Sequence, residues 1–131
     1  MVRRLNALFV PAVGRGLVAQ SQLPVVLGES RPEPDLSVVA DDAARATASR
    51  FVVEVADSSL EYDTTTKRDL FGRHGVEDYW VVNLPAREIW IYEAPDPAGG
   101  YRSRRKLQAG DVAHSPNAPC PVNLTELFDG L

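Results

Sequence analysis

The stretch SSLEYDTTTKRDLFGRHG, Ser58 to Gly75, decides how the chain is read. Asp63, Lys67, Phe71 and His74 recur at helical spacing with Leu70 among them, so one face carries an acid, a base and the apolar residues that must meet a core. An ammonium on such a stripe requires an anion near the start of the helix. Asp63 suits the N-cap and Gly75 the C′ position, while Arg73 and His74 fall in the last turn, where cations complement the dipole. The spacing therefore predicts a helix over residues 63–74. Three consecutive threonines are poor helix formers, so packing rather than propensity must hold its first turn.

Working outward, the runs FVVEVA (Phe51 to Ala56) and LSVVA (Leu36 to Ala40) are β-branched with little polar alternation, the pattern of strands covered on both faces. They are expected to be central and adjacent, with DDAARATASR as the connection between them. Beyond the helix, YWVVNL and REIWIYE meet across Pro85-Ala86 as a hairpin, and PDPAGG turns the chain into YRSRRKL, which has the pattern of a last strand. Towards the N-terminus, Leu5, Leu8, Phe9 and Val13 form a helical stripe that Pro11 and Gly14 end. The segment GLVAQSQLPVVL alternates like a strand, but Pro24 cannot donate to a ladder and assigns it to an edge or a bulge. Asn123 to Phe128 reads as a short C-terminal helix packed through Leu124, Leu127 and Phe128. The fold class is α/β or α+β: a single domain over residues 1–131, with a mixed central sheet flanked by helices.

Composition agrees with this. With 131 residues, 44% hydrophobic and 24% charged, the chain can bury a real core and is neither fibrous nor disordered. Its longest apolar runs fall far short of the roughly 20 residues a membrane span needs. The start MVRRLNALFVPAVG resembles a secretion signal, but Asn6 and Pro11 interrupt its apolar part, so an amphipathic helix and a cytoplasmic location are expected. Cys120, the single cysteine, lies between prolines and is read as incidental. A net charge of −4 argues against a broadly basic nucleic-acid-coating protein, though not against a local basic groove beside acids that a metal neutralises.

Glu54 is the residue that carries chemistry. It interrupts an apolar strand on the face opposite Phe51, Val53 and Val55, where an unpaired carboxylate costs several kcal/mol. Asp35 heads the neighbouring run, and paired strands about 4.8 Å apart would bring the two carboxylates together. A divalent ion relieves their repulsion. Lys67, on a helix returning over the end of that strand, adds an ammonium. Two hard oxygen ligands with open positions favour Mg²⁺ or Mn²⁺, and the adjacent lysine can orient water or stabilise charge on a phosphate, the equipment of phosphodiester hydrolysis.

These residues, PD at Pro34-Asp35, EV at Glu54-Val55, then SSLEYDTTTK and GVEDYWVV, resemble the Uma-two family of restriction endonucleases within the PD-(D/E)xK nuclease superfamily. The resemblance runs from the first helix to the C-terminus and is most specific over Val53 to Val82. It implies a restriction-endonuclease-like core and a magnesium-dependent endodeoxyribonuclease, a hydrolase of DNA phosphodiester bonds. By resemblance, Asp35 and Glu54 ligate the metal, with the backbone carbonyl of Val55, and Lys67 is the catalytic lysine. The superfamily lysine lies two residues after the acid; that position here is Ala56, so the role would have moved onto the helix. Tyr62 and Asp63 match family letters, with packing and capping as sufficient roles. Family members usually carry a longer N-terminal region with an acidic residue, which the chain is expected to lack.

Other candidates are weaker. His74 suits a helix C-terminus and His114 a loop, and a Ser58, His74, Asp57 hydrolase arrangement lacks a nucleophile-elbow context. The basic run RSRRK is more often a solvated face than a phosphate contact. Trp80, Trp90 and Tyr92 are assigned to the core or a homodimer interface before base stacking. Two classes of function follow: a DNA endonuclease, or a catalytically inactive nuclease-fold binding or assembly module, homodimeric.

Overall fold

The computed structural model describes residues 1–40, 49–57 and 63–131. Its centre is a six-stranded sheet in the order β1-β2-β3-β4-β5-β6, formed by Leu17–Ser21, Leu36–Ala40, Ser49–Ala56, Asp78–Asn83, Glu88–Pro95 and Tyr101–Leu107. All neighbours are antiparallel except β3 and β4, which run parallel and pair Phe51 with Asp78 through Ala56 with Asn83. A parallel pair needs a crossover. Residues 63–73 lie within it, as a π-helical turn, Asp63–Lys67, followed by α2, Arg68–Arg73. The sheet is thus mixed, as the strand pattern required.

The helical expectation for residues 63–74 is corrected in its first half. Asp63 to Lys67 wind as a wider π turn, and only from Arg68 is the helix α. β-branched Thr65 and Thr66 crowd the preceding turn of an α-helix, and π turns are frequent at functional sites. The end is as expected, with Gly75 at φ 78° and the His74 amide bonded back to Leu70. The capping role of Asp63 and the packing of Tyr62 lie outside the described residues, as do Ser58 and the connection over 41–48; Ser49 and Arg50, expected in that connection, already belong to β3.

Two cores cover the two faces of the sheet. On one, α1 (Val2–Phe9) and α3 (Leu124–Leu127) pack through Leu5, Phe9, Leu124 and Leu127 against Phe51, Val53, Trp80 and Val82. Phe9, Phe51 and Trp80 meet edge to face, with Phe51 and Trp80 centroids 5.1 Å apart. Trp80, assigned to core or dimer interface, is fully buried, and its indole donates to Ser115 Oγ at 3.0 Å. The guanidinium of Arg4 joins the two helices by donating to the carbonyls of Leu127, at 2.8 Å, and Asp129, at 2.6 Å. A two-stranded ladder, β7 (Val112–Ala113) with β8 (Val122–Asn123), leads into α3, whose N-cap Asn123 accepts from the Glu126 amide. That ladder had no signal in the sequence, because two-residue strands have no period to detect.

On the opposite face, α2 seats Phe71 on Tyr79, centroids 5.1 Å apart, among Val52, Ala56, Val81 and Tyr92. The loop between β1 and β2 contributes buried Val25 and Leu27 to this core. β1 is an edge strand that ends at Ser21, before Pro24, as the proline required. α2 approaches the β5–β6 turn so closely that a Cβ on Gly72 would run into the backbone carbonyl of Gly100. Replacing a helical glycine by alanine normally stabilises by about 1 kcal/mol. Here the obstacle is backbone and cannot rotate away, so Gly72→Ala should instead destabilise by about 1–3 kcal/mol, the range of overpacked cores, as read from the urea midpoint.

Candidate active site

Alternation along β3 puts Glu54 on the α2 face with Val52 and Ala56, and Val53 and Val55 on the other. Pairing of Leu36 with Val53 continues by one step to set Asp35 opposite Glu54. Asp35 is fixed twice: its carbonyl accepts from the Gln22 amide at 3.2 Å, and its Oδ2 accepts from the Val55 amide at 2.7 Å. Its other oxygen has no hydrogen-bond partner among the described residues. The carboxylate therefore sits against the backbone of the residue that follows Glu54.

Glu54 is 4% exposed. A carboxylate so deep needs a cation, and Lys67 provides it: Nζ lies 3.5 Å from Glu54 Oε2. The lysine closes the π turn, so its side chain descends from the start of α2 onto the end of β3. About a third of that side chain remains exposed, against 5% for Glu54. The ammonium thus faces a buried acid on one side and solvent on the other. Asp35, Glu54, Val55 and Lys67, named from the sequence, are gathered at one end of β3.

Ser37 belongs beside them and went unnoticed in the sequence. It pairs with Val52, is 1% exposed, and its Oγ has no hydrogen-bond partner among the described residues. Its only signal was position, two residues after Asp35 on the same face. His74 and His114 lie apart from this group: His74 contacts Gly28, and His114 is a loop residue whose carbonyl accepts from Arg105. Cys120 is partly buried against the α1 core, which pushes its thiol pKa up, and its thiol donates to the Leu8 carbonyl.

Among the described residues no three His, Cys, Asp or Glu side chains converge as a metal-binding group. Register sets Asp35 opposite Glu54, and two carboxylates are within the complement Mg²⁺ ordinarily takes from protein while water and phosphate fill its remaining positions. The donor set of Asp35, Glu54 and a backbone carbonyl is entirely hard oxygen, so its chemistry fits Mg²⁺ or Mn²⁺ and does not fit a thiolate-seeking metal.

A sequence profile of the Uma2 family, described as "putative restriction endonuclease", matches residues 1–124, and the chain belongs to that family. The crystal structure of a protein from Anabaena variabilis, described as a putative nuclease belonging to DUF820, superposes with a TM-score of 0.68 at 18% identity, over 97% of this chain and 75% of that one. It shares the nuclease-like fold. No curated protein matches the chain in sequence. No helix among the described residues is long and apolar enough to cross a membrane.

The Asp35 contact separates shape from charge. Asp35→Asn keeps an oxygen acceptor for the Val55 amide and should cost under about 1 kcal/mol, whereas Asp35→Ala leaves that amide unpaired and should cost about 1–3 kcal/mol. Equilibrium unfolding of the two variants checks the order.

Proposed function

We propose that the protein is a metal-dependent endonuclease that hydrolyses DNA phosphodiester bonds, with Asp35, Glu54 and the Val55 carbonyl as ligands of Mg²⁺ or Mn²⁺ and Lys67 as the catalytic lysine. The observation that carries this reading is the 3.5 Å approach of Lys67 to Glu54, beside Asp35, at the end of a strand facing a helix. Family membership supports the class of chemistry. The PD-(D/E)xK pattern gains a physical rationale as well. A lysine two residues after the acid would share its face of the strand; Ala56 occupies that place with a small buried side chain, and Lys67 reaches the same face from the π turn.

A bound divalent ion would polarise the phosphoryl oxygens and make water a better nucleophile. The protein's own groups do the rest. Asp35 is held by the Val55 amide, so its free oxygen is presented without a search through rotamers. Glu54 fixes the ammonium of Lys67, whose exposed side meets the phosphate and offsets the negative charge that grows as the bond breaks. Burial of Glu54 strengthens these interactions by excluding water.

The rival reading, a non-catalytic binding or assembly module acting as a homodimer, rests on the same pair, because Lys67 already satisfies Glu54 as a structural partner. Charge-specific variants decide between them. Glu54→Gln and Lys67→Ala should each lower Mn²⁺-dependent cleavage of plasmid DNA by about 10²-fold or more, with circular dichroism unchanged. Calorimetric titration should register Mn²⁺ binding that Asp35→Asn weakens. Cleavage at the parental rate in both variants, or a flat titration of the unaltered protein, would leave only the assembly module.

A further inference from the structure

Row by row, the sheet register carries the α2 face outward from the acids: Glu54 pairs with Val81, Val81 with Trp90, and Trp90 with Lys106, while in the next row Val52 leads through Tyr79 and Tyr92 to Arg104. Arg68 stands at the start of α2, next in the chain after Lys67. The Arg68 guanidinium lies 5.7 Å from the centre of the Tyr92 ring. On β6, Arg104 and Lys106 lie over the Trp90 ring at 5.5 and 5.9 Å. Between Arg68 and Arg104 opens a cleft of about 330 Å³ floored by Tyr92 and Tyr101.

We infer that this cleft seats a phosphate of the DNA strand whose scissile phosphate meets Lys67, with Arg68 and Arg104 as its two donors and Lys106 as the next contact along the strand. The inference rests on the nuclease reading above for the position of the scissile phosphate. Charge complementarity identifies the occupant: Lys67, Arg68, Arg104 and Lys106 form one line of cations across a chain whose net charge is −4. Among the described residues, Glu54 pairs with Lys67, Asp69 stands at the rim and Glu88 beside Lys106. The last two contacts are loose, 3.9 Å from Arg68 and 4.0 Å from Lys106, so these cations keep donors for phosphate. Aromatic rings beneath guanidinium groups hold them at fixed positions, which lowers the ordering cost of a contact. Three strand spacings of about 4.8 Å separate Glu54 from Lys106, roughly 14 Å, so the line reaches past the scissile phosphate to its near neighbours on the same strand.

A different account of β6 is edge protection, in which charges guard an unpaired strand whichever way they point. The two accounts diverge at neighbouring residues. Arg105 lies on the opposite face, bonded to Glu93 and to the His114 carbonyl. The test is fluorescence anisotropy of a labelled duplex oligonucleotide in EDTA, where binding is read without cleavage, over a salt series from about 50 to 200 mM. Arg104→Gln should lower the affinity and the salt slope, and the double variant with Arg68→Gln, which strips the one phosphate seat of both donors, should lower the slope by about 0.9 in all. Arg105→Gln should leave slope and affinity unchanged. An unchanged slope in Arg104→Gln, an equal loss in Arg105→Gln, or no binding by the unaltered protein overturns the phosphate seat. The nuclease reading fails separately, if the unaltered protein binds through Arg104 yet never cleaves with Mn²⁺.

Discussion

A carboxylate in the middle of a buried strand is the constraint from which the rest of the architecture follows. Glu54 has almost no contact with water, and a charge so placed is tolerated only with a partner within a few ångströms. Lys67 supplies that partner from outside the sheet, which requires the chain to leave β3, reverse over its end and begin a helix there. The same reversal lets β4 run parallel to β3. The parallel pair β3–β4, the widened first turn and the acid–base contact are therefore one solution to one electrostatic problem, which the proposed catalysis would put to use.

The surrounding structure can be read as support for this geometry. Asp35 reaches its place because two bonds, one from its backbone and one to its side chain, tie the entrance of β2 to both neighbouring strands. α2 is only six residues long and would not persist alone. Phe71 against Tyr79, and Gly72 against the Gly100 carbonyl, clamp it to the sheet. Tyr101 adds a hydrogen bond to the Val76 carbonyl at 2.6 Å, and burial, followed by the nearby Asp78 charge, raises its pKa well above the ordinary phenol range. That hydroxyl is a structural donor over the whole physiological range.

Much of this was legible before any coordinates, and for identifiable reasons. Strands β2 to β5 announce themselves because each carries a long β-branched or aromatic run, and Glu54 stands out because it violates one. Pro24 marked an edge through a missing donor. The π turn was not legible: the period of Asp63, Lys67 and Phe71 is equally compatible with a regular helix, and the threonines showed strain without its form. Ser37 was hidden because a serine in an apolar strand is ordinary until its hydroxyl is known to be buried. The line of cations escaped for a different reason. RSRRK places successive side chains on alternate faces, and which of them share a face with Glu54 depends on register carried across three strand pairs, a long-range fact that local pattern does not contain.

The face of the sheet opposite Glu54 is covered by the first and last helices of the chain, joined through Arg4. Phe9 of α1 meets both Phe51 and Trp80 edge to face, so the aromatic cluster of this face is capped by a segment that precedes both of them in the chain. Loosening the contact between the two helices would bare apolar sheet on that face alone, a route to aggregation that leaves the Glu54–Lys67 pair on the far side with its partners.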